Sequence, residues 1–426
     1  MQIEVKAPEA VKGCVELPSS KSISNRALVI NALSGNDVMP KNVSDCDDTN
    51  VMIKWLTDRH SGVGNGDVPV IDIGAAGTAM RFSAALLAVG EGTFVITGTE
   101  RMKNRPISIL VNALRELGAE VEYVEKEGFP PLRITGNPHI EGGEISLPGS
   151  VSSQYISALL MIAPMMKEGL MLVLTGDIVS RPYIDMTLGL MREYGASAEW
   201  GSDQRSIVVE HGGYEAKPYL VENDWSAASY WYEIVALSQN DDAQIMLPGL
   251  FSQSMQGDSR GAEVFAKLGV ATRFEADGTV VLSKNGECVK SLEYDFLQMP
   301  DLAQTFVVTC CMLGVPFHFS GLQSLKIKET DRIEALKTEL AKFGFAIEDR
   351  NDSELLWDGV RQTVDKERLA EVAIDTYEDH RMAMAFAPVV LREGSIRINN
   401  PEVVSKSYPR YWDDLRSVGF QIETLL

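Results

Sequence analysis

The chain has 426 residues, of which 45% are hydrophobic and 23% charged, a composition typical of globular proteins and not of disordered ones. Its length suits about two to three average domains, and its longest apolar run, Thr305 to Phe319, is too short for a membrane span of about 18 residues. A formal net charge of −21 disfavours nucleic acid and anionic membranes as partners, although a local cluster of cations can still bind a small anion.

The first predicted helix follows a strand that ends at Pro18 and runs to Gly35 in LPSSKSISNRALVINALSG. Ser22 and Arg26 are four residues apart and share a face beside Lys21. Free backbone N–H groups and the positive end of the helix dipole make such a start an anion site. A plain Ser cap with surface cations explains most helix starts of this kind, and it is favoured on this segment alone.

Three further helix starts of the first half are rich in Gly or hydroxyl groups. In GAAGTAMR, Gly77 permits close backbone approach, Thr78 can cap the helix and Arg81 lies in its first turn. GSVSSQ and SRPY offer neutral donors and acceptors suited to a polyhydroxylated or phosphorylated ligand. Their polar or aromatic residues are Ser152, Ser153, Gln154, Ser180 and Tyr183.

The segment TERMKNRP lies between these starts and carries three cations. It predicts a turn before a helix at Ile107, with Arg101, Lys103 and Arg105 in the turn. A solvated run of charge is the alternative interpretation.

The second half adds acidic residues to the helix starts. Asp301 precedes the apolar helix AQTFVVTCCML, where an Asp usually serves only as a cap. In LKIKETDRI, Lys328 and Arg332 have the spacing of one helix face, with Glu329 beside them. The last two starts, YEDHRMAMAF and VVSKSYPR, carry the remaining candidates His380, Arg381 and Lys406.

A helical segment, a glycine turn and a short alternating strand recur five times along the chain. Successive turn glycines are 77, 74, 75 and 75 residues apart, and they are Gly118, Gly195, Gly269, Gly344 and Gly419. A degenerate copy, DDTNVMIKWLTDRH, precedes them. Such turns are common, but the even spacing favours a true repeat. It predicts two related domains of three α/β units each, one over residues 18–224 and one over 1–17 plus 225–426, with functional residues in the cleft between them.

Several other kinds of site are not supported by the sequence. The five cysteines form no CxxC pair, and we find no HExxH motif, zinc ligand set or nucleophile elbow. We therefore expect no metal, no cofactor and no structural disulfide. The acidic, strand-like first ten residues do not resemble a signal or transit peptide, so a cytoplasmic location is expected.

Together these segments resemble the 5-enolpyruvylshikimate-3-phosphate synthase family. Nine motifs in order carry the resemblance: LPSSKSISNRAL, GAAGTAMR, RMKNRP, SVSSQ, SRPYID, MPDLAQT, IKETDRI, YEDHRMAMAF and VVSKSYPRYW. The resemblance implies an α/β (α+β) fold of two similar domains, each of three βαβαββ units in an inside-out α/β barrel. It also implies a monomer whose domains close on substrate.

The resemblance implies transfer of the enolpyruvyl group of phosphoenolpyruvate to the 5-hydroxyl of shikimate 3-phosphate, with release of phosphate, through a tetrahedral intermediate. Asp301 would take the hydroxyl proton and Glu329 would protonate the methylene carbon, with Lys21 and His380 (and Lys406) sharing proton transfer. Shikimate 3-phosphate would be held by Lys21, Ser22, Arg26, Ser152, Ser153, Gln154, Ser180, Tyr183, Asp301, Ser324 and Lys328. Phosphoenolpyruvate would be held by Lys21, Gly77, Arg105, Gln154, Arg332, Arg381 and Lys406.

Two positions depart from the family pattern, which often has Asn where this chain has Ala75 and, in some members, Asn where it has Ser324. Both substitutions bear on affinity more than on activity. Glyphosate occupies the phosphoenolpyruvate pocket in this family, and Gly77 leaves room for it.

Two alternatives stay open on the sequence. The related transferase that acts on UDP-N-acetylglucosamine usually has a Cys in its mobile loop, and the stretch from Arg101 to Pro106 has none. A non-catalytic sensor of a phosphorylated metabolite would lack Asp301 or Glu329, and both are present.

Overall fold

The computed structural model describes residues 1–58, 68–365, 369 and 371–425. The chain forms two compact units, one of Met1–Pro18 with Glu222–Leu426 and one of Ser19–Val221. Pro18 and residues 222–224 therefore belong to the unit that holds both chain ends.

Helices and strands alternate along the described residues. The strands are β1 Gln2–Lys6, β2 Lys12–Cys14, β3 Val70–Asp72, β4 Thr93–Thr97, β5 Glu120–Tyr123, β6 Leu132–Thr135, β7 Gly143–Pro148, β8 Leu170–Thr175, β9 Ala198–Trp200, β10 Ser206–Val209, β11 Gln244–Leu247, β12 Val270–Phe274, β13 Val280–Lys284, β14 Leu292–Asp295, β15 Phe317–Ser320, β16 Glu348–Arg350, β17 Glu354–Trp357, β18 Ala373–Ile374, β19 Ser395–Asn399 and β20 Gln421–Leu425. The α-helices are α1 Lys21–Leu33, α2 Asp47–Asp58, α3 Gly77–Ala88, α4 Glu100–Lys103, α5 Ser108–Glu116, α6 Ser153–Ile162, α7 Arg181–Glu193, α8 Trp225–Leu237, α9 Gly261–Ala266, α10 Ala303–Leu313, α11 Arg332–Ala341, α12 His380–Phe386, α13 Val390–Glu393 and α14 Tyr411–Ser417. Short 3₁₀ helices cover Ala163–Met165, Gly257–Arg260, Phe296–Gln298, Pro300–Leu302, Gln323–Ile327, Ala387–Val389 and Pro401–Lys406.

The four-stranded sheets of the described residues share one topology. In each, one pair of neighbouring strands is parallel and the other neighbouring pairs are antiparallel. The unit Ser19–Val221 contains the orders β3-β4-β6-β5 and β7-β8-β10-β9. The other unit contains β2-β11-β13-β12, β14-β15-β17-β16 and β18-β19-β1-β20. In the last sheet β1 takes the third position, between β19 and β20, so the first residues of the chain complete the final βαβαββ unit.

The predicted helix–glycine–strand turns are confirmed. All five repeat glycines have φ between 85 and 100°, a region that L-residues with a Cβ rarely adopt. Each lies between a helix (α5, α7, α9, α11 or α14) and the strand that follows it. Of the degenerate copy, α2 is described, and the remainder of that segment lies outside the described residues.

Several helices are buried along their whole length. All residues of α3 and α12 are buried, as are all of α8 except Ser226. Helices that are apolar on every face belong to a core, so the polar groups at their first turns stand out as candidates for function. Within the described ranges, no helix has both the length and the apolar character of a membrane span.

Candidate active site

Arg26 is the central cation of the Ser19–Val221 unit. It is 3% exposed; its Nε donates to Thr187 Oγ1 at 2.7 Å and its Nη2 to Ser157 Oγ at 3.0 Å. Nη1 donates to the Ser22 carbonyl at 2.9 Å. Burial lowers the pKa of Arg26 to about 10. Among the described residues Arg26 forms no ion pair, so its buried charge is held by neutral groups alone, as an anion-binding residue requires.

The hydroxyl groups predicted from GSVSSQ and SRPY lie at helix starts. Ser152 caps α6 and accepts from the Gln154 amide N–H, while Gln154 Nε2 donates to Thr78 Oγ1 at 3.1 Å. Ser153 is the first residue of α6 and is half-buried. Ser180 precedes α7 with a left-handed φ of 58° and makes no side-chain cap.

Tyr183 lies in the first turn of α7. Its carbonyl accepts from Arg26 Nη2 at 3.4 Å, and the centre of its ring is 6.0 Å from the Arg26 guanidinium. A half-buried aromatic ring beside a buried cation can pack against a flat ligand.

Gly77 is the first residue of α3, and two arginines crowd it. A Cβ at this position would lie 2.5 Å from Arg105 Nη1 and 2.7 Å from Arg81 Nη1. Arg81 Nη1 donates to the Gly77 carbonyl at 2.7 Å. The glycine therefore lets two guanidinium groups approach the start of a helix, where N–H groups also attract anions.

Two local predictions here are wrong. Thr78 does not cap α3, because the helix starts at Gly77 with Ala76 as its cap, and Thr78 Oγ1 instead accepts from Gln154 Nε2. The segment TERMKNRP is not a plain turn, since Thr99 caps the short helix α4, which contains Arg101 and Lys103. Arg105 follows that helix.

Lys21 begins α1 after the Ser20 cap. Its Nζ lies 3.3 Å from Asp48 Oδ2, and both side chains are partly buried. Asp48, in the first turn of α2, was not among the predicted residues.

Asp301 is the centre of the cluster in the other unit. Its Oδ2 lies 2.9 Å from Arg381 Nη2. Its Oδ1 lies 3.4 Å from Arg332 Nη1 and 3.5 Å from Lys328 Nζ. Asp301 lies in the 3₁₀ helix Pro300–Leu302 and does not cap it. A carboxylate among three cations can accept a proton while the cations hold anionic substrate groups.

Arg332 is 2% exposed and joins three carboxylates. Besides Asp301, its Nη2 lies 2.9 Å from Glu329 Oε2 and its Nε 2.7 Å from Asp379 Oδ2. Burial by itself lowers the pKa of Arg332, but these carboxylates raise it by more, and the net shift is upward. Asp379 is fully buried and also caps α12. It was missed as a separate candidate although it stands in the quoted motif YEDHRMAMAF.

The expectation that Lys328 and Arg332 share a helix face is wrong. Helix α11 begins at Arg332 with Asp331 as its cap, so Lys328 precedes the helix. The two cations nevertheless meet at Asp301 Oδ1. Ser324 lies nearby in sequence, in the 3₁₀ helix Gln323–Ile327, and its buried Oγ has no hydrogen-bond partner in the described part of the chain.

The last two predicted helix starts supply three more groups. His380 is buried at the first position of α12. Arg381 follows it, and its Nη1 donates to Tyr230 Oη at 3.4 Å. Lys406 ends the 3₁₀ helix Pro401–Lys406, and its Nζ donates to the Glu378 carbonyl at 2.7 Å.

Asp258 is a further acid that sequence analysis missed. Burial and the repulsion of Asp301 raise its pKa to about 7, against the attraction of Arg381 and a hydrogen bond from Ser226 Oγ. Its segment, SMQGDSR, leads into α9 but carries no cluster of cations of the kind used above, so only the fold identifies Asp258. No group of His, Cys, Asp and Glu in the described ranges has the arrangement of a metal site.

The sequence of the chain is similar to those of known proteins. A sequence model of EPSP synthase (3-phosphoshikimate 1-carboxyvinyltransferase) matches residues 5–415. A 3-phosphoshikimate 1-carboxyvinyltransferase of Bacteroides fragilis is 62% identical over 423 residues, covering 99% of each chain. The chain belongs to the EPSP synthase family. A 3-phosphoshikimate 1-carboxyvinyltransferase of Vibrio atlanticus is 38% identical to this chain, and the match covers 96% of this chain and 98% of the Vibrio protein.

The fold also matches solved structures of the family. An EPSP synthase from Acinetobacter baumannii superposes with a TM-score of 0.79 at 20% identity, with all of both chains covered. A second structure of an EPSP synthase from that organism gives 0.77. The predicted α/β fold of two domains built from βαβαββ units is thereby confirmed.

Proposed function

We propose that this protein performs the reaction of its family with the residues described above. It transfers the enolpyruvyl group of phosphoenolpyruvate to the 5-hydroxyl of shikimate 3-phosphate and releases phosphate, a step of aromatic biosynthesis. The match along nearly the whole chain supports the activity. The single observation that carries the chemistry is Asp301, which lies within 3.5 Å of three cations and shares Arg332 with Glu329.

Shikimate 3-phosphate has a carboxylate, two free hydroxyls and a phosphate. In our proposal its carboxylate pairs with Arg26, whose charge lacks a carboxylate partner among the described residues. Its phosphate is held by hydroxyl and amide groups at the starts of α6 and α7, and its ring packs on Tyr183. The polar residues in contact are Lys21, Ser22, Ser152, Ser153, Gln154, Ser180, Asp301, Ser324 and Lys328.

Phosphoenolpyruvate carries two anionic groups on a small carbon frame. Close binding therefore needs several cations and little steric bulk, which Gly77 with Arg105 provides in one unit and Arg332 with Arg381 in the other. Lys21, Gln154 and Lys406 complete the proposed set.

The proposed chemistry begins at the 5-hydroxyl. Its oxygen attacks C2 of phosphoenolpyruvate while Asp301 takes the hydroxyl proton and Glu329 gives a proton to C3, which becomes a methyl group. In the resulting tetrahedral intermediate, Glu329 then removes a methyl proton as the C2–O bond to phosphate breaks. Phosphate leaves and the enol ether remains. Lys21, His380 and Lys406 would assist proton transfer and stabilise the leaving group.

The decisive experiment follows inorganic phosphate in mixtures of protein, shikimate 3-phosphate and phosphoenolpyruvate. Asp301→Asn and Glu329→Gln keep side-chain volume but remove the carboxylate that accepts or donates a proton. Each should lower kcat by about 10²- to 10⁴-fold. Glu354→Gln is the matched control, because that carboxylate pairs with His318 at 2.7 Å and has no proposed role. Its rate should stay at the wild-type value.

Three results would contradict the proposal. Phosphate release that does not require both substrates would exclude the transfer. Release with UDP-N-acetylglucosamine as acceptor would identify the related transferase. Tight binding of shikimate 3-phosphate without turnover would indicate a sensor. We further propose that the protein acts as a cytoplasmic monomer. We also propose that it has no nucleic-acid partner, which its net charge of −21 supports.

A further inference from the structure

The turn that precedes α12 has an unusual backbone. Tyr377 and Glu378 have φ of 52° and 57°, and the Asp379 N–H donates to the Thr376 carbonyl at 2.8 Å across them. Two successive positive φ values are the pattern of a type I′ turn, which Asn and Gly normally occupy. Residues with a Cβ and a long side chain hold this conformation only where their surroundings enforce it.

Helix α11 supplies contacts that can enforce the turn. The carboxylate of Glu339 is fully buried near the end of this helix. Its Oε1 accepts from Tyr377 Oη at 2.7 Å, and its Oε2 accepts from the Asp375 N–H at 3.2 Å. Lys342 Nζ, 2.6 Å from Glu339 Oε2, compensates its charge and also donates to the Ala373 carbonyl at 2.7 Å. The start of the same helix holds the other end of the turn, through Arg332 and Asp379.

The turn in its observed form presents two groups to the candidate active site. The carbonyl of Glu378 accepts the hydrogen bond from Lys406 Nζ at 2.7 Å. The carboxylate of Asp379 orients Arg332, since Asp379 Oδ2 lies 2.7 Å from Arg332 Nε. If both central residues returned to negative φ, the Glu378 carbonyl would point elsewhere and Lys406 would lose this acceptor.

We propose that Glu339 and Tyr377 are positioning residues: their hydrogen bond holds the Thr376–Asp379 turn in its left-handed form and thereby orients Lys406 and Arg332 for phosphoenolpyruvate. This inference rests on the proposed function, because it assigns both cations to that substrate. Neither Glu339 nor Tyr377 touches the substrate; each acts through the turn.

The ionisation of Tyr377 is consistent with this role. Desolvation and the hydrogen bond to the Glu339 carboxylate raise the pKa of Tyr377 above its ordinary value of 10.0. The phenol therefore keeps its proton, and remains a donor to Glu339, throughout the physiological range.

The first test compares Tyr377→Phe with Tyr232→Phe. Both remove one hydroxyl from the same unit, and Tyr232 Oη bonds Thr272 Oγ1 at 2.9 Å, among residues with no proposed role. Tyr377→Phe should raise KM for phosphoenolpyruvate about tenfold, the size of a lost hydrogen bond to a charged group, and leave KM for shikimate 3-phosphate within about twofold. Tyr232→Phe should change neither KM.

A second variant separates orientation of the turn from general stability. Glu378→Gly allows positive φ without a Cβ at one of the two central positions, so the turn depends less on the hydrogen bond of Tyr377. Added to Tyr377→Phe, it should return KM for phosphoenolpyruvate most of the way to that of Glu378→Gly alone. Additive losses, or equal changes in both KM values, would overturn the proposal.

A measurement without substrate distinguishes failure of this inference from failure of the proposed function. Hydrogen exchange of the Asp379 amide reports the turn directly, and Tyr377→Phe should accelerate it at least about tenfold. Unchanged exchange overturns the inference even in an active enzyme. If wild type releases no phosphate but Tyr377→Phe exchanges faster, Tyr377 and Glu339 do hold the turn, and it is the proposed transferase activity that is excluded.

Discussion

Replacement of Gly77 by Ala tests how closely two arginines must approach the start of α3. The new Cβ would lie 2.5 Å from Arg105 Nη1 and 2.7 Å from Arg81 Nη1, where ordinary contact begins at 3.4 Å. The two guanidinium groups must therefore retreat by about 0.9 and 0.7 Å, as ordinary van der Waals separation requires.

The size of the effect follows from electrostatics. A cation that moves from about 4 to about 5 Å from an anion loses about 0.8 kcal/mol at an effective dielectric of 20. Retreat of Arg105, the arginine of this pair that we assign to phosphoenolpyruvate, should raise KM for that substrate about fourfold. We expect kcat to change by less than about twofold, because the proposed proton-transfer residues, Asp301 and Glu329, are not altered by this substitution.

Steady-state phosphate release at saturating shikimate 3-phosphate measures both constants. Gly90→Ala is the control, since a Cβ there would meet the Leu86 carbonyl oxygen at an ordinary 3.5 Å in the same unit. Glyphosate, if it takes the same pocket, should inhibit Gly77→Ala less than wild type. An unchanged KM in Gly77→Ala, or an equal rise in Gly90→Ala, would refute the steric argument.

Three further predictions concern buried charges. Arg26→Met should raise KM for shikimate 3-phosphate at least about tenfold in the phosphate-release assay, because a charge-assisted hydrogen bond is lost. KM for phosphoenolpyruvate should stay unchanged, and equal changes in both KM values would exclude the assignment of Arg26. Asp258 becomes negatively charged as the pH rises through about 7, and this charge opposes the binding of an anion by Arg381. At higher pH, KM for phosphoenolpyruvate should therefore increase in wild type and not in Asp258→Asn. Parallel pH profiles of the two proteins would contradict this. The carboxyl group of Glu233 is fully buried in the core, with 0% solvent exposure, and burial raises its pKa well above 4.5. Wild type therefore loses stability as pH rises above about 4.5, because the unfolded state ionises first, and Glu233→Gln should show a Tm advantage that grows with pH; a constant difference in Tm would exclude this cause.

Much of the fold was predictable because its signals are local. An amphipathic helix, a glycine at positive φ and an alternating strand are all encoded within about twenty residues, and the even spacing of Gly118, Gly195, Gly269, Gly344 and Gly419 follows from repetition of that unit. The polar groups at helix starts were found for the same reason. Their proposed roles came from the resemblance to a family and stay predictions.

Other features could not be found locally. Asp258 carries no sequence signal, and Asp379 is distinguished from an ordinary cap only by its contact with Arg332, 47 residues away. Helix α11 begins only at Arg332, so Lys328 does not lie on the helix face that its spacing predicted. Tertiary contact, not periodicity, brings Lys328 to Asp301.

The sequence by itself determined the α/β units, their repetition and the helix starts that carry cations, hydroxyls and acids, because backbone propensity and hydrophobic period act over short distances. Only the tertiary structure decided which charges meet. Arg381 reaches Asp301 across 80 residues and β1 pairs with β19 across almost the whole chain. Burial then sets the consequence of each meeting, since removal of water strengthens the pairing of Arg332 with its carboxylates.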